Sequence, residues 1–295
     1  MSNADADVQA TIEELWVYPV KSCAGVSLRE AELTDTGLLY DRAWMVVDAQ
    51  GEFVSQRELP RMALIQPAFK MGQLVLRAPG MLPLHLALDA VESPLQVRVW
   101  DDEVQAWDMG DLAAQWFSDF LAPGAPASLK QLRLARFDPE VKRPCDAAWT
   151  GGREANTQFA DGFGLLVASV ASLAGLNERL ATAGRPAVDM RRFRPNIVLG
   201  GLQAHDEDRT GPLTIDTGAG VAVVEPVKPC ARCPIPDIDP DTASASHGVS
   251  DTLQTYRQDA RVGGAVTFGM NAIVIEGDGR MLRVGQPVRG DWRFD

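Results

Sequence analysis

Apolar residues in the first hundred positions of this chain fall in short runs, each closed by turn-forming residues, and that punctuation is what most limits the fold. The runs occupy 12–20, 43–47, 63–69, 74–76 and 95–100, with Asp48, Gly51, Pro79 and Gly80 among the residues that separate them. Such segments suit strands joined by tight turns, which build an antiparallel barrel or sandwich. Helical spacing enters only at Asp111, where Leu112, Trp116, Phe117, Phe120 and Leu121 follow a helical period until Pro123-Gly124 stops it. A second helix is expected to begin at a Ser169 cap, to carry Val170, Leu173 and Leu180 on one face, and to end at Gly184, which tolerates the left-handed C-terminal conformation. Strands return at 196–199, 213–216, 221–224 and 265–275, with Gly218-Ala219-Gly220 as a hairpin turn between the middle two. Residues 234–248, rich in Asp, Pro and Ser, follow neither period and read as a long loop, the kind of segment that is often functional. The fold class is therefore mostly β with a few helices, an α+β arrangement divided in the region of residues 100–130.

With 295 residues, 46% of them apolar, the chain can bury the core of one large or two modest domains. Its net charge of -12 argues against broad binding of nucleic acid or of an anionic membrane, because phosphate-rich surfaces repel such a protein. No run approaches the roughly 20 apolar residues that span a bilayer, and residues 1–10 are polar and acidic, unlike a signal peptide. A soluble, cytoplasmic protein is expected, with no membrane partner. Cys23, Cys145, Cys230 and Cys233 are too few for the framework of a secreted disulfide protein, which leaves reduced thiols available for chemistry.

Only Cys230-Ala231-Arg232-Cys233 is a closely spaced pair, placed where the strand at 221–224 gives way to the long loop. A structural zinc site needs four ligands, and His85, His205 and His247 are isolated. A thioredoxin-like pair sits at a helix N-terminus, which Pro234 and Pro236 deny here. Two core cysteines are a third reading, weakened by Lys228 and Arg232, whose charges favour a thiolate. A single soft thiolate for a metal carried by an organic cofactor is the fourth, and it makes the best use of the motif.

Three segments carry the basic residues that suit an anion. Tyr18-Pro19-Val20-Lys21-Ser22-Cys23-Ala24-Gly25 offers an ammonium, a hydroxyl and a turn just after a strand. Asp41-Arg42 and Arg191-Arg192-Phe193-Arg194-Pro195-Asn196 offer guanidinium forks, which serve equally well in ordinary ion pairs. Asp237, Asp239 and Asp241 imitate the start of a calcium loop, but Thr242 stands where that loop needs Gly and Gly248 where it needs Glu. No dinucleotide fingerprint or phosphate-binding P-loop is visible.

Taken together, Leu15-Trp16-Val17-Tyr18-Pro19-Val20-Lys21-Ser22-Cys23-Ala24-Gly25, Tyr40-Asp41-Arg42-Ala43-Trp44, Phe193-Arg194-Pro195-Asn196-Ile197-Val198, the CxxC followed by Asp239-Pro240-Asp241-Thr242, and Thr255-Tyr256-Arg257 resemble the MOSC family. The likeness is to the branch with an N-terminal β-barrel domain, which includes the mitochondrial amidoxime-reducing components. It implies an N-terminal β-barrel-like domain over 8–125 and a MOSC β-barrel domain over 126–293. It also implies a molybdenum–molybdopterin cofactor whose metal takes one protein thiolate, which matches Cys233 as metal ligand and catalytic residue. Lys21, Ser22 and Arg42 match positions that grip the pterin phosphate, Arg194 and Asn196 match positions that line the pterin, and Arg232 joins the cofactor-binding set. Asp161-Gly162-Phe163-Gly164 lies where the family makes further contacts, without the hydroxyl side chains of the family signature. The family also carries a generic pyridoxal-phosphate-binding label. The activity implied is two-electron reduction of N-hydroxylated compounds such as hydroxylamines and amidoximes. Because the chain lacks the cysteines of an iron–sulfur cluster, electrons are expected from a separate donor of ferredoxin or flavin-reductase type. The alternative is a non-catalytic cofactor carrier or a sulfur-transfer module with a persulfide on Cys233.

Overall fold

In the computed structural model, which describes residues 6–294, the opening strand Val8–Val17 alternates buried and exposed positions, the period of a strand with one face on a core. One of its edges pairs antiparallel with Ile197–Gly200 and the other with Pro287–Gly290. From there the sheet continues through Leu213–Asp216, Val221–Ala231 and Ala265–Glu276 to Leu165–Ser169, which pairs back onto Ile197–Gly200. The result is a closed seven-stranded barrel. Its interior is filled by alternate residues of these strands, among them Ile12, Leu15, Leu165, Val167, Leu199 and Val224. The one parallel pairing in the barrel, Leu165–Ser169 with Ile197–Gly200, is joined by a crossover that includes the helix Val170–Thr182.

A second lobe packs beside the barrel. Trp44–Val47, Arg133–Phe137, Asp102–Asp108 and Ser93–Val99 form an antiparallel sheet, and Gln66–Lys70, Gln73–Arg77 and Leu84–Ala87 form a three-stranded meander. The helix Asp111–Leu121 buries Trp116, Phe117, Phe120 and Leu121 against a core that includes Val20, Trp44, Met62 and Leu134. Mostly β with a few helices is thus the architecture. The two lobes exchange chain: Val8–Val17 is a stave of the barrel, although a long segment of the other lobe follows it. Arg133–Phe137 lies in the sheet of that other lobe.

Several local expectations change in the folded chain. Leu112 is 75% exposed and Val170 40% exposed, so each helix turns away from the core a residue that spacing had assigned to it. The first lies in the opening turn of its helix, and the second directly follows the Ser169 cap, whose side chain accepts from Ser172 N. The strand expected at 221–224 runs on to Ala231, through Pro226 and Pro229. It does so by register shifts at Pro226/Lys228 and Pro229/Ala231, where bulges absorb the missing proline donors. Cys230 therefore sits on the strand and Cys233 just beyond it.

The segment 234–248 is ordered by its own carboxylates. Asp237 accepts from Val249 N and Ser250 N and so caps the helix Gly248–Gln254, which spacing had not shown. Asp239 accepts from Asp241 N and Thr242 N and pairs with Arg192 at 2.9 Å, while Asp241 pairs with Arg191 at 2.8 Å. These aspartates serve turns and ion pairs.

Candidate functional site

A cavity of about 550 Å3 opens where the barrel meets the second lobe, and the residues that resemblance had singled out converge on it. Lys21, Ser22, Arg42, Arg194, Asn196, Arg232 and Cys233 all line its wall, although they lie as far apart in the chain as 21 and 233. The Lys21-Ser22 turn follows the opening barrel strand and is tied to the second lobe by the Val20–Trp44 bridge and by Lys21 N donating to Trp44 O at 2.8 Å. Ser22, Arg42, Trp100 and Arg194 have φ of 67°, 50°, 57° and 59°. Left-handed backbone in non-glycine residues costs free energy and concentrates where side chains must be aimed.

Electrostatics sets the wall apart from the rest of the molecule. In a chain of net charge -12, six cations (Lys21, Arg42, Arg57, Arg194, Lys228 and Arg232) face this cavity with one carboxylate, that of Asp161. Lys21 is only 6% exposed, and its ammonium donates to Phe159 O at 2.7 Å and to Asp161 Oδ1 at 2.5 Å. Burial drives its pKa below the ordinary lysine value, and the Asp161 charge works against that loss. For Asp161, enclosure by the cavity wall favours the neutral acid, but Lys21 overrides it and holds the carboxyl below the usual carboxylate range. Its outer edge still meets cavity solvent, since the side chain is 65% exposed. Trp100 Nε1 donates to the same Asp161 oxygen at 3.2 Å, and Arg57 lies over the Trp100 ring at 4.7 Å.

Deeper in, Arg42 and Arg194 lie over the Tyr18 ring, at 4.4 and 4.2 Å from its centroid. Arg42 donates to Asp41 at 2.6 Å and to Arg194 O at 3.0 Å; Arg194 Nη1 donates to Cys23 O at 2.6 Å. Burial, aided by the Arg42 charge, lowers Arg194 to about 10. Among the described residues, Arg194 Nη2, Arg232 Nε and the Tyr18 hydroxyl are buried without a hydrogen-bond partner. Two guanidinium groups on one wall that each keep one nitrogen unpartnered among the described residues fit an added anion. Asn196 lines the cavity with its amide already engaged. Its Oδ1 accepts from Leu166 N at 3.0 Å and Arg42 Nη1 at 3.2 Å, and its Nδ2 donates to Trp16 O at 3.2 Å. The amide staples two barrel strands and aims Arg42.

The four thiols are free and fall into two groups. Cys23 and Cys145 are buried, and burial pushes their pKa up to about 12 and about 11. Cys230 and Cys233 are half-buried and face the cavity. Arg232 Nη1 donates to Cys230 Sγ at 3.0 Å and Nη2 to Phe193 O at 3.1 Å, whereas Cys233 Sγ makes no hydrogen bond among the described residues. Cys233 is therefore the sulfur left open to a ligand. The Thr255-Tyr256-Arg257 motif lies away from the cavity wall: Arg257 pairs with Asp208 at 2.6 Å, and Tyr256 packs against His205. Arg57 and Trp100, which do line the cavity, come from the second lobe, and no local spacing flags them.

Fold and site define a class: a β-barrel protein with a cationic cavity, suited in charge to an anionic ligand, and an open thiol in its wall. Comparison with known proteins makes the class specific. Residues 9–123 match the MOSC N-terminal beta barrel domain and 154–289 the MOSC domain. The chain is 36% identical over 256 residues to the mitochondrial amidoxime reducing component 2 of Bos taurus, covering 84% of this chain and 72% of the relative. It is 35% identical over 297 residues to the mitochondrial amidoxime-reducing component 1 of Mus musculus, covering 94% and 81%. Against the molybdenum cofactor sulfurase of Homo sapiens it is 30% identical over 273 residues, 88% of this chain but 29% of the relative. The chain belongs to the MOSC family, in the branch that carries the MOSC N-terminal beta barrel domain.

Proposed function

We propose that the cavity binds a molybdenum–molybdopterin cofactor with Cys233 as the protein thiolate on the metal, and that the chain reduces N-hydroxylated compounds with electrons from a separate redox protein. The observation that carries this reading is the wall itself, six cations to one carboxylate around an open thiol. The donor set fits the group. Arg194 Nη2 and Arg232 Nε are buried donors without acceptors, as a phosphorylated ligand requires, and thiolate sulfur is the soft donor that molybdenum accepts. Among the described residues no three His, Cys, Asp or Glu side chains converge on one point, so a metal on Cys233 takes its other ligands from an organic carrier. The amidoxime-reducing names of the relatives support the substrate class.

Lys21, Ser22, Arg42 and Arg194 would hold the phosphate and pterin, while Arg232 positions Cys230 beside Cys233 and limits its freedom to compete for the metal. When bound, the cofactor supplies the two-electron, oxygen-abstracting chemistry. Reduction of an N–OH group to N–H consumes two electrons and two protons and releases water. Asp161, held ionised, is an acceptor that orients Lys21 and Trp100 rather than a proton donor near neutral pH.

The test is metal and pterin analysis of the wild type beside Cys233→Ser and Cys230→Ser, with turnover of an amidoxime by loaded protein and a chemical reductant. Molybdenum is expected to be lost or electronically altered chiefly in Cys233→Ser. An equal loss from Cys230→Ser alone overturns the ligand assignment, and loaded protein inert toward every N-hydroxylated compound overturns the reductase reading. The sulfurase likeness motivates a second reading, which a stable persulfide on Cys233 in metal-free protein would support.

A further inference from the structure

We infer that Lys228 and Asn271 form a carboxylate-binding subsite beside the cysteine pair, selecting N-hydroxylated substrates that carry an anionic group; the inference rests on the reductase reading and names its substrate class. Lys228 lies two residues ahead of Cys230 on the strand Val221–Ala231, while Lys21, Arg42 and Arg194 reach the cavity from other segments. It is the one cavity cation that makes neither an ion pair nor a hydrogen bond among the described residues. Lys21 is paired with Asp161, Arg42 with Asp41 and Arg57 with Glu58, while Arg194 and Arg232 donate to Cys23 O and Cys230 Sγ.

Its ammonium is held instead by ring faces, 5.1 Å from the Trp149 centroid and 5.8 Å from that of Phe163. Aromatic faces position a cation without neutralising it, so the charge remains available to a ligand. Asn271 is the direct antiparallel partner of Lys228 on Ala265–Glu276, lines the same cavity, and has an amide that makes no hydrogen bond among the described residues. An ammonium and an amide N–H side by side can serve the two oxygens of one carboxylate. Because this pair shares its strand with Cys230 and lies five residues before Cys233, the anion it takes is at the cysteine end of the cavity.

The experiment measures binding of 4-carboxybenzamidoxime and of neutral benzamidoxime to molybdenum-loaded protein by isothermal titration without reductant, then their reduction once reductant is added. The wild type is expected to bind the carboxylated compound about tenfold more tightly, one charge-assisted contact, with the preference lost in Lys228→Met and kept in Lys228→Arg. Asn271→Ala, a second variant that keeps the cation, is expected to lose part of the preference. Equal affinity of the wild type for both compounds, or a preference that survives Lys228→Met, overturns the inference. So does loss of molybdenum and pterin from Lys228→Met, which would assign the cation to the cofactor. A Lys228-dependent preference in protein that turns over neither these nor any other N-hydroxylated compound supports the subsite and overturns the reductase reading instead.

Discussion

The Tyr18 ring can lie beneath Arg42 and Arg194 because residue 25 has no side chain. A Cβ at Gly25 would stand 2.6 Å from Tyr18 Cε1 and 3.1 Å from Trp16 Cε3, and the Tyr18 ring is buried and cannot swing into solvent. Gly25→Ala therefore pushes the platform that orients both guanidinium groups. We expect it to cost about 1–3 kcal/mol of stability, read by denaturant unfolding, and to weaken cofactor retention. A variant as stable and as well loaded as the wild type would contradict this account. The motif around Gly25 was legible in the sequence as a turn with a nearby Lys, whereas the role of the glycine was not, since it depends on a ring seven residues earlier. Asn196 makes the same point in reverse. Family resemblance placed it along the pterin, and in the fold its amide also ties two barrel strands together and holds Arg42.

At the scale of elements, the crossover helix Val170–Thr182 starts from an unusual anchor. Ser169 Oγ and Ser172 Oγ donate to the two oxygens of Glu207, at 2.9 and 2.6 Å, and Glu207 is fully buried in the turn Asp206–Arg209. Burial pushes its pKa up to about 7, against the partial relief of those hydroxyl donors. An acid raised in the folded state binds its proton more tightly there than in the unfolded chain. Its stabilising share is thus fully present below the ordinary value of 4.5 and is lost as pH rises through about 7. The loss across that window is at most about 3 kcal/mol for this group. Glu207→Gln is expected to flatten the decline between pH 5 and about 8 in urea titrations; an unchanged slope would show that other groups set it. Nothing in the spacing of Glu207 announces this role, because its serine partners are more than thirty residues away. Strand Val221–Ala231 is the complementary case: read from the sequence it ends at Val224, and only pairing with Ala265–Glu276 shows that bulges carry the strand past Pro226 and Pro229 to Cys230.

Over the whole molecule, a net charge of -12 contrasts with the six cations gathered around one cavity. An acidic exterior should attract an electron donor with a basic face, so the rate of reduction by such a donor is expected to fall with ionic strength, several-fold between about 20 and 200 mM salt. A rate indifferent to salt would assign docking to apolar contacts. The sequence by itself determined the β-rich class, the close spacing that sets Cys230 and Cys233 apart from the other two cysteines, and the segments from which most of the cavity cations come. These depend on periodicity, turn chemistry and residue type, which are local. Only the tertiary structure decided that Asp161 is the partner of Lys21, that Arg57 and Trp100 reach the wall, that Asn196 is a staple and that Lys228 stands unpaired beside Asn271. Those facts arise where the barrel closes on its first strand and the second lobe packs against its mouth, bringing together side chains whose distance in space bears no relation to their distance along the chain.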